Sequence, residues 1–547
     1  MLMIPTPHPL PTSTDAGTIR RPRTMRSARK FEESTVTKHP YFDDRPIPFP
    51  TLSSALTHWA AATPDALALT TSTVELTYAA FAEHVARCGR WLADQGITPG
   101  DRVVVVGHNT ASWVVHYMAV LSLGAVIAPA NNRLNPSQFA DQVALLDAAL
   151  VLADDAHTEI IGDVPAGKVR LLAEDYLTAT PAPVPPVDPN ALALISFTSG
   201  TTGKPKGAML AQRALAEASW AFARVLRTGQ HDSTLVVVPM FHNTGFVDQF
   251  GHMLMLGGRT DLLHRFRTQD AVAALTARPV TYLAAVPSLH RLIMLADGAD
   301  RALESVRVLL YGGSPMPVAW IDELLAKWPR MQLFHGYGMT EYGSAVSFLP
   351  PEHAESRGES VGFAVPETRI RIVGDNGQDV EPGTVGEMWV QGPTLMQGYW
   401  RQPALTAAKI SDGWLRTGDL ARLEDEFYYI EGRVDDVINR GGEKVLPAHV
   451  EGLLSELGSV GVSCVFGMAD PVLQNRIWAA VEERPGQLLD EEHARRVLLE
   501  KLPDYAVPER ITVLNPLPRT ASGKVDRRAV AAHFTKLIDN GVLTARR

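Results

Sequence analysis

The stretch from Phe197 to Gly207 reads FTSGTTGKPKG and combines the residue types that hold phosphate groups. Its glycines let the backbone approach a ligand closely, and its N–H groups and hydroxyls can converge on phosphate oxygens. Lys204 and Lys206 add positive charge. The spacing differs from GxxxxGK[ST], which excludes that type of nucleotide-binding loop. The apolar run Ala191 to Phe197 predicts a strand before the loop, and we expect a helix from about Leu210.

Other polar segments also follow predicted strands. The strands Leu235–Val238, Arg307–Leu310 and Met331–His335 lead into PMFHN, YGGSPMP and GYGMTE. Parallel strands end at one edge of a sheet, so we expect these loops to line one crevice. Further along, WLRTGD contains Asp419, a suitable acceptor for the two hydroxyls of a ribose. EGRVDD and PRTASGKVDRR then add Arg433 and a lysine that follows a glycine.

In this order, the motifs closely resemble those of the adenylate-forming superfamily, which includes acyl-CoA synthetases, the adenylation domains of peptide synthetases, and luciferases. The resemblance covers residues 50 to 530. It implies that ATP activates a carboxylic acid to an acyl-adenylate with release of pyrophosphate. The acyl group would then pass to a thiol, as in acyl-CoA or aryl-CoA ligases. ATP, Mg²⁺ and CoA, or a phosphopantetheine thiol, are the implied cofactors.

The resemblance also assigns roles to individual residues. Hydroxyls and glycines would hold the β- and γ-phosphates, oxygen ligands would hold Mg²⁺, and a lysine would neutralise charge at the α-phosphate and the attacking carboxylate. The implied sets are the phosphate site (Thr198, Ser199, Gly200, Thr201, Thr202, Gly203, Lys206), the adenine site (Gly312, Gly313, Ser314, Tyr337), the ribose site (Asp419, Arg433), the Mg²⁺ site (Thr201, Glu341) and the catalytic residues (Lys524, Glu341, Thr340, His242).

The acyl pocket is expected around the loop PMFHNTG. The implied pocket residues are His242, Asn243, Thr244, Phe246, Gly336, Gly338 and Gly343. We expect the glycines, with Ser344, to leave open space in the pocket. Together with Phe246 and Trp220, this space suggests a flat or moderately long acid. A domain specific for α-amino acids would be expected to carry an aspartate in this loop, but the loop has none and Asp248 follows it.

The acceptor is open to more than one interpretation. Ala506 and Glu509 stand where CoA-using relatives often carry basic residues, which leaves Arg510. Gln474-Asn475 replaces a common Gly-Glu pair. CoA is favoured, and the alternatives are the phosphopantetheine of an acyl carrier protein or a non-thiol, nitrogen acceptor. A binding protein without catalysis is disfavoured, because Lys524, Glu341 and Asp419 are all intact and a protein that has lost catalysis usually lacks at least one such residue.

The elements that position these residues indicate an α/β protein. Helices alternate with short β-branched strands from Leu52 to about Leu263, which predicts largely parallel βαβ sheets. After Gly383 the pattern changes to short strands and turns, which indicates a small β-subdomain. We expect an N-terminal arm over 1–50 that is disordered, an adenylation domain over 51–433 and a mobile α+β domain over 434–547. The resemblance places the hinge at Asp435.

Composition limits the classes of partner and the types of structure that the chain can have. The net charge of -9 argues against nucleic-acid binding, which usually needs a basic face. Two cysteines exclude a disulfide framework, and the spacing of Cys88 from other apolar residues predicts a buried helix face. The most apolar stretch, Trp113 to Ala130, reads as a buried helix followed by a strand and not as a membrane span. A cytoplasmic enzyme acting on a small carboxylic acid is expected.

Overall fold

The structure of this protein is a computed structural model, which describes residues 40–543 apart from residues 163, 184, 199–204 and 520–524. Several predicted site residues and residues 1–39 of the expected arm lie outside the described residues. The site residues in question are Ser199, Gly200, Thr201, Thr202, Gly203 and Lys524.

The large N-terminal domain alternates strands and helices. Its strands are β1 (Leu67–Thr70), β2 (Glu75–Thr77), β3 (Arg102–Val106), β4 (Val126–Pro129), β5 (Leu150–Ala153), β6 (Val169–Leu171), β7 (Leu192–Thr198), β8 (Lys206–Ala211), β9 (Ser233–Val236), β10 (Arg259–Leu262), β11 (Tyr282–Ala285), β12 (Val308–Gly312), β13 (Gln332–Met339), β14 (Ser344–Leu349), β15 (Phe363–Ala364), β16 (Arg369–Val373), β17 (Gly386–Gln391), β18 (Gly398–Tyr399), β19 (Ile410–Ser411), β20 (Trp414–Glu424) and β21 (Phe427–Arg433). Its helices are α1 (Leu52–Ala62), α2 (Tyr78–Asp94), α3 (Ala111–Ser122), α4 (Pro136–Leu146), α5 (Thr158–Ile161), α6 (Gln212–Leu226), α7 (Asn243–Gly245), α8 (His252–Leu256), α9 (Thr268–Ala277), α10 (Pro287–Met294), α11 (Ala299–Leu303), α12 (Val318–Lys327) and α13 (Pro403–Lys409).

These strands form three sheets within the described part of the chain. The first has the order β15-β14-β13-β12-β11-β9-β10-β1-β2, and its strands from β1 through β10, β9, β11 and β12 to β13 run parallel. The second has the order β18-β8-β7-β4-β3-β5-β6, and β7, β4, β3, β5 and β6 run parallel. The third is antiparallel and contains β16, β17, β19, β20 and β21. The expected α/β class with a β-subdomain is confirmed.

Helix α3 shows why apolar sequence becomes core here. It begins after Thr110, whose side chain accepts a hydrogen bond from the backbone N–H of Trp113 at 3.0 Å. Every residue of the helix is buried, and its apolar side chains belong to a core that also contains strands of the first and second sheets. The stretch predicted as a buried helix and strand is α3 followed by β4. Cys88 is also fully buried, as expected.

The phosphate loop connects two antiparallel strands. β7 and β8 pair from Leu192 with Ala211 to Thr198 with Lys206, so the two strands form a hairpin. The helix expected from about Leu210 is α6, which begins at Gln212, whereas the strand β8 that precedes it was not predicted. β8 is held on its other side by β18, which supplies backbone hydrogen bonds that a helix could not accept.

Strand β13 is longer than the sequence predicted. It continues through Gly336 and Tyr337 to Met339, so Tyr337 lies in a strand and not in the loop after one. β13 pairs with β14 beyond the end of β12, and the register shifts between Tyr337 and Gly338. This bulge turns the strand end where several predicted site residues lie.

The small C-terminal domain follows β21. Its elements are β22 (Ile438–Arg440), β23 (Glu443–Val445), α14 (Pro447–Ser455), β24 (Val460–Asp470), β25 (Gln474–Glu483), α15 (Glu491–Lys501), β26 (Arg510–Val513) and α16 (Arg527–Asp539). β24, β25 and β26 form a sheet with apolar clusters on both faces. α14 begins with Pro447 at the first helical position, as expected. In this domain Arg527 bonds Glu451 at 2.8 Å and also contacts Asp436.

Residues 40–50 pack against the large domain. The backbone N–H of Asp43 donates to the carbonyl of Arg224 at 2.9 Å, and the Trp220 indole donates to the carbonyl of Arg45 at 3.1 Å. The guanidinium of Arg45 also lies over the Trp220 ring. Throughout the described residues, each helix is too short or too polar to cross a lipid bilayer.

The hairpin that carries the phosphate loop has little room for change. A Cβ at Gly207 would lie 2.5 Å from Ile195 Cγ2, a buried methyl on the paired strand. We expect Gly207→Ala to lower the free energy of unfolding by about 1–3 kcal/mol, because strand and side chain must move apart. Gly229→Ala is the matched control, since its Cβ would meet nothing within 4 Å, and it should change stability by less than about 0.5 kcal/mol. Thermal and urea unfolding would measure both, and equal effects would contradict the prediction.

Candidate active site

A buried carboxylate joins two strands at one end of the crevice. Asp419 on β20 is 6% exposed and accepts a hydrogen bond of 2.5 Å from the Tyr337 hydroxyl on β13. Arg433, which pairs with Asp419 across β20 and β21, places its Nη1 3.1 Å from Asp419 Oδ1. The Asp419 backbone N–H donates to Thr417 Oγ1 at 3.0 Å. The predicted adenine and ribose residues therefore meet at a single carboxylate.

The electrostatics of this corner keep the tyrosine neutral. Burial and the adjacent Asp419 charge raise the pKa of Tyr337 well above its usual value. The hydroxyl is therefore a hydrogen-bond donor at neutral pH and holds Asp419 in place. Arg433 is exposed over about half of its side chain and approaches the carboxylate from solvent. The corner offers one fixed acceptor, one aromatic ring and one partly exposed cation.

The residues expected near the phosphates lie at strand ends. Thr198 and Lys206 are the paired residues on either side of the loop and are both half-buried. Glu341 follows β13 in the 3-10 helix Thr340–Tyr342, and its Oε1 accepts a hydrogen bond of 2.9 Å from the Tyr399 hydroxyl. Tyr399 belongs to β18, the strand that pairs with β8. Glu341 is thus tied to the same sheet edge as the loop, and its remaining oxygen positions are of the kind that Mg²⁺ prefers.

The region expected to hold the acyl group is organised by an amide and a buried acid. Asn243 Nδ2 donates to the carbonyl of Gly343 at 2.9 Å, which links the PMFHNTG loop to the segment after Glu341. Asp248 accepts a hydrogen bond of 2.6 Å from the Ser344 hydroxyl and another from Thr244. Burial raises the pKa of Asp248 to about 7, although both hydrogen bonds act in the opposite direction. Asp248 lies in the π-helix Phe246–Gly251, a rare conformation that often marks a functional site.

The remaining predicted pocket residues differ in exposure. His242 is exposed, precedes α7 and packs its ring against Phe241, with centroids 4.2 Å apart. Phe246 is fully buried and contacts Tyr117, with ring centroids 5.4 Å apart. His242 can therefore face a substrate directly, whereas Phe246 supports the loop from the core.

The expected open space at the pocket glycines was wrong. A Cβ at Gly338 would meet the Ser344 carbonyl at 1.8 Å, and one at Gly336 would meet the Phe348 ring at 3.0 Å. Gly343 has a positive φ of 73° and would place a Cβ 3.1 Å from Ala218 Cβ. These glycines are required by close packing and by the bulge. The expected pocket role of Trp220 finds no support either, because its ring packs against residue 45.

Gly312 and Gly313 are also required by close packing or by backbone conformation. A Cβ at Gly312 would lie 2.6 Å from the carbonyl oxygen of Gly336 on the neighbouring strand, so this glycine allows β12 and β13 to approach. Gly313 has a positive φ of 77°, and both it and Ser314 are exposed just beyond β12. The backbone therefore turns away from the sheet next to Tyr337, as the predicted adenine site requires.

Comparison with known proteins decides the family. The AMP-binding enzyme family matches residues 56–400, and the C-terminal domain of AMP-binding enzymes matches residues 449–524. The chain belongs to the AMP-binding enzymes. It is 32% identical to a feruloyl-CoA synthase of an Amycolatopsis species over 87% of this chain and 97% of that one. It is also 32% identical to an indoleacetate–CoA ligase of Aromatoleum aromaticum over 84% of this chain and 94% of that one.

A solved structure agrees with these relatives. The o-succinylbenzoate CoA synthetase of Bacillus subtilis, in complex with the acyl-adenylate OSB-AMP, superimposes with a TM-score of 0.79 at 27% identity. The match covers 87% of this chain and 97% of that structure. This AMP-binding enzyme is an AMP-forming acid–thiol ligase of the acyl-CoA synthetase type. It uses ATP, Mg²⁺ and CoA, and it activates a small carboxylic acid as its acyl-adenylate.

Sequence reasoning missed two residues of this AMP-binding enzyme's site. Tyr399 holds Glu341, but its QGYW context reads only as a turn-rich segment. Thr417 accepts from the Asp419 backbone through its hydroxyl, and its carbonyl accepts from Arg433 at 3.3 Å. Its position two residues before Asp419 in WLRTGD was the available signal, because short polar side chains often bond to the backbone two residues on.

The nucleoside corner gives a direct prediction. Asp419→Asn should raise the KM for ATP roughly ten- to a hundredfold, because a charged acceptor for hydroxyl donors contributes about 1.5–3 kcal/mol. The matched control is Asp425→Asn, at the turn of the same β-hairpin, where the side chain is 67% exposed and bonds Arg357. We expect the control to leave the KM for ATP unchanged. Steady-state kinetics at saturating acid would measure both, and an unchanged KM in Asp419→Asn would remove the ribose assignment.

Proposed function

We propose that this ligase activates an aryl or arylalkyl carboxylic acid and transfers it to CoA. The observation that supports this class most directly is the set of relatives at 31–32% identity, whose names specify feruloyl, indoleacetate and 2-succinylbenzoate substrates. Each of these acids carries an aromatic ring.

The ATP site is proposed in two parts. Tyr337 presents its ring to adenine, and Asp419 with Arg433 receives the ribose; the hydrogen bond between Tyr337 and Asp419 supports this pairing, because the two rings of a nucleoside are covalently joined. The phosphates lie at the loop between Thr198 and Lys206, with Thr340 and Glu341 beside them. Glu341 and Thr201 would hold Mg²⁺, which draws charge from the phosphates.

The reaction needs a cation where negative charge builds. The acid's carboxylate attacks the α-phosphorus, the bond to the β-phosphate oxygen breaks, and pyrophosphate leaves with the electron pair. Lys524 is proposed to neutralise the α-phosphate and the incoming carboxylate during this step. His242 is proposed to border the acyl group, because it is exposed at the end of the loop that Asn243 ties to Gly343.

Free CoA is proposed as the preferred acceptor, and Glu509 is not proposed to contact its phosphates. Glu509 bonds Arg440 at 2.9 Å and Arg476 at 2.7 Å, so it neutralises two cations of the small domain. Ala506 is buried, and the Arg510 guanidinium lies over the Trp478 ring. CoA phosphates would therefore meet cations outside this group. An acyl carrier protein is the second candidate, since its phosphopantetheine arm makes fewer phosphate contacts.

The proposed location is the cytoplasm. Both cysteines are buried free thiols, as expected in a reducing compartment.

An acid panel tests the substrate class. Carboxylate-dependent exchange of pyrophosphate into ATP would be measured with cinnamic, arylacetic, benzoic, fatty, small dicarboxylic and amino acids. We expect the highest kcat/KM with a cinnamic or arylacetic acid, by at least tenfold over fatty and amino acids. The Lys524→Ala enzyme should lose exchange by at least a hundredfold, about 2.7 kcal/mol of transition-state stabilisation. Preference for a fatty or amino acid would reject the aromatic class, and full exchange in Lys524→Ala would reject that residue's role.

The product of the second step tests the acceptor. Reactions with the best acid would be resolved by HPLC after addition of CoA, a holo-carrier protein or an amine. The acyl-CoA thioester is expected to form fastest. Faster loading of the carrier protein or the amine would replace CoA as the preferred acceptor without affecting the result of the exchange assay.

We also propose that the small domain, beginning near residue 434, rotates between the two steps about Asp435. Asp435 is exposed in the 3-10 helix Val434–Asp436, which connects β21 to β22. The neighbouring Asp436 contacts Arg527 within the small domain and so moves with it. Gly441 and Gly442, both at positive φ, form the turn proposed to enter the site for transfer.

The hinge can be tested by fixing one backbone angle. Asp435→Pro should keep pyrophosphate exchange within about threefold and lose thioester formation by at least tenfold, because proline holds φ near −65°. Asp435→Ala is the matched control and should retain both steps. Full thioester formation by the proline variant would argue against rotation at this residue.

A further inference from the structure

Imidazole and carboxylate side chains gather where β3 and β5 end, outside the residues assigned to the reaction. His108 lies two residues beyond β3, Asp154 directly follows β5, and His157 ends the 3-10 helix Asp155–His157. β3 and β5 are parallel neighbours and pair Val106 with Ala153. The fold therefore brings together side chains that are almost fifty residues apart in the sequence.

The three side chains share one carboxylate. His108 Nδ1 lies 3.2 Å from Asp154 Oδ2, and His157 Nδ1 contacts Asp154 Oδ1. The backbone N–H of His108 also donates to Asp154 Oδ2 at 2.8 Å, which fixes the carboxylate. One potential ligand atom from each residue lies within 4.8 Å of the others. The side chains are 12–18% exposed, so the group is mostly shielded from solvent but still accessible to it.

We propose that His108, Asp154 and His157 bind a divalent transition metal of the zinc class. Two imidazole nitrogens and one carboxylate oxygen form a ligand set typical of Zn²⁺, with a further position for water or a fourth ligand. Mg²⁺ and Ca²⁺ prefer ligand sets made of oxygen, so this site is chemically distinct from the one expected beside the ATP phosphates.

Neighbouring residues hold the proposed metal ligands in position before a metal binds. The His108 ring stacks on His264, with centroids 4.4 Å apart, which restricts its rotation. A Cβ at Gly107 would lie 3.1 Å from Asp154 Oδ2, so the backbone passes directly beside the carboxylate. A site that is already arranged spends less binding free energy on ordering its ligands.

The proposed metal site is joined to the acyl loop through the next residue. Asn109 Nδ2 donates to the carbonyls of Val238 and Leu263 at 2.8 and 3.0 Å. The backbone N–H of Met240 donates to Asn109 Oδ1 at 2.8 Å. Metal binding at His108 should therefore stabilise the segment that leads to His242, and the stabilisation should appear as a higher unfolding temperature.

Metal titration of the full-length chain tests the proposal. The protein would be stripped with EDTA and titrated with Zn²⁺, and separately with Co²⁺, in excess Mg²⁺. We expect one ion per chain, a higher unfolding temperature, and Co²⁺ absorption bands typical of nitrogen and oxygen ligands. Asp154→Asn and His157→Gln should each weaken binding by at least about tenfold. Two substitutions are used so that one remains informative if the other lowers stability without metal.

Two control variants test whether Zn²⁺ binds at this cluster and not elsewhere on the chain. His231→Gln changes an exposed histidine elsewhere and should bind Zn²⁺ like the unaltered chain. Glu341→Gln should also retain Zn²⁺ binding, which would separate this site from the Mg²⁺ position. Failure of the unaltered chain to bind Zn²⁺ or Co²⁺, or binding that both Asp154→Asn and His157→Gln leave intact, would overturn the proposal. In that case the group is a hydrogen-bonded aspartate–histidine cluster.

Discussion

The burial of Asp419 is the constraint on which the crevice depends. A buried carboxylate needs partners, and here they come from different parts of the chain: Tyr337 from the parallel sheet and Arg433 from the neighbouring strand, while the Thr417 hydroxyl accepts from the Asp419 backbone N–H. Because these partners must be present together, β13 is fixed against the β20–β21 hairpin. That hairpin leads directly into the small domain, so one acid positions both the proposed nucleoside site and the start of the proposed hinge.

The other side of the crevice depends on packing more than on charge. Gly336, Gly338 and Gly343 have neighbours so close that an added methyl group would collide with them. Their strands and turn can therefore come together, and Asn243 fastens the loop above them. Asp248, a buried acid with a pKa near neutrality, lies at the base of the same region and bonds Ser344. In the proposed acyl pocket, backbone position as well as side chains would therefore set the shape of the substrate.

Much of this arrangement could be predicted from the sequence, for identifiable reasons. Apolar runs such as Val103–Val106 and the stretch that begins at Trp113 predict buried strands and helices without ambiguity. The order of the motifs predicted that Tyr337, Asp419 and Arg433 belong to one site. The strand after the phosphate loop was missed because β8 is short and its pairing with β18 joins residues far apart in the chain. The role of the pocket glycines was predicted wrongly because the sequence does not show how close their neighbours lie in the fold. The cluster at His108 was invisible for a similar reason, since only the β3–β5 register assembles it.

One contact outside the crevice distinguishes how the small domain is built from how it is attached. Inside that domain, Arg527 joins α16 to α14 and to the segment before β22 through partly shielded carboxylates. Toward the large domain, Lys444 meets Asp375 at 2.7 Å, and both side chains stand largely in water, 62% and 93% exposed. Dissolved ions compete for such a pair and weaken it, and they weaken the less exposed internal pairs to a smaller extent. Ionic strength should therefore loosen this tether and leave the domain's own architecture intact.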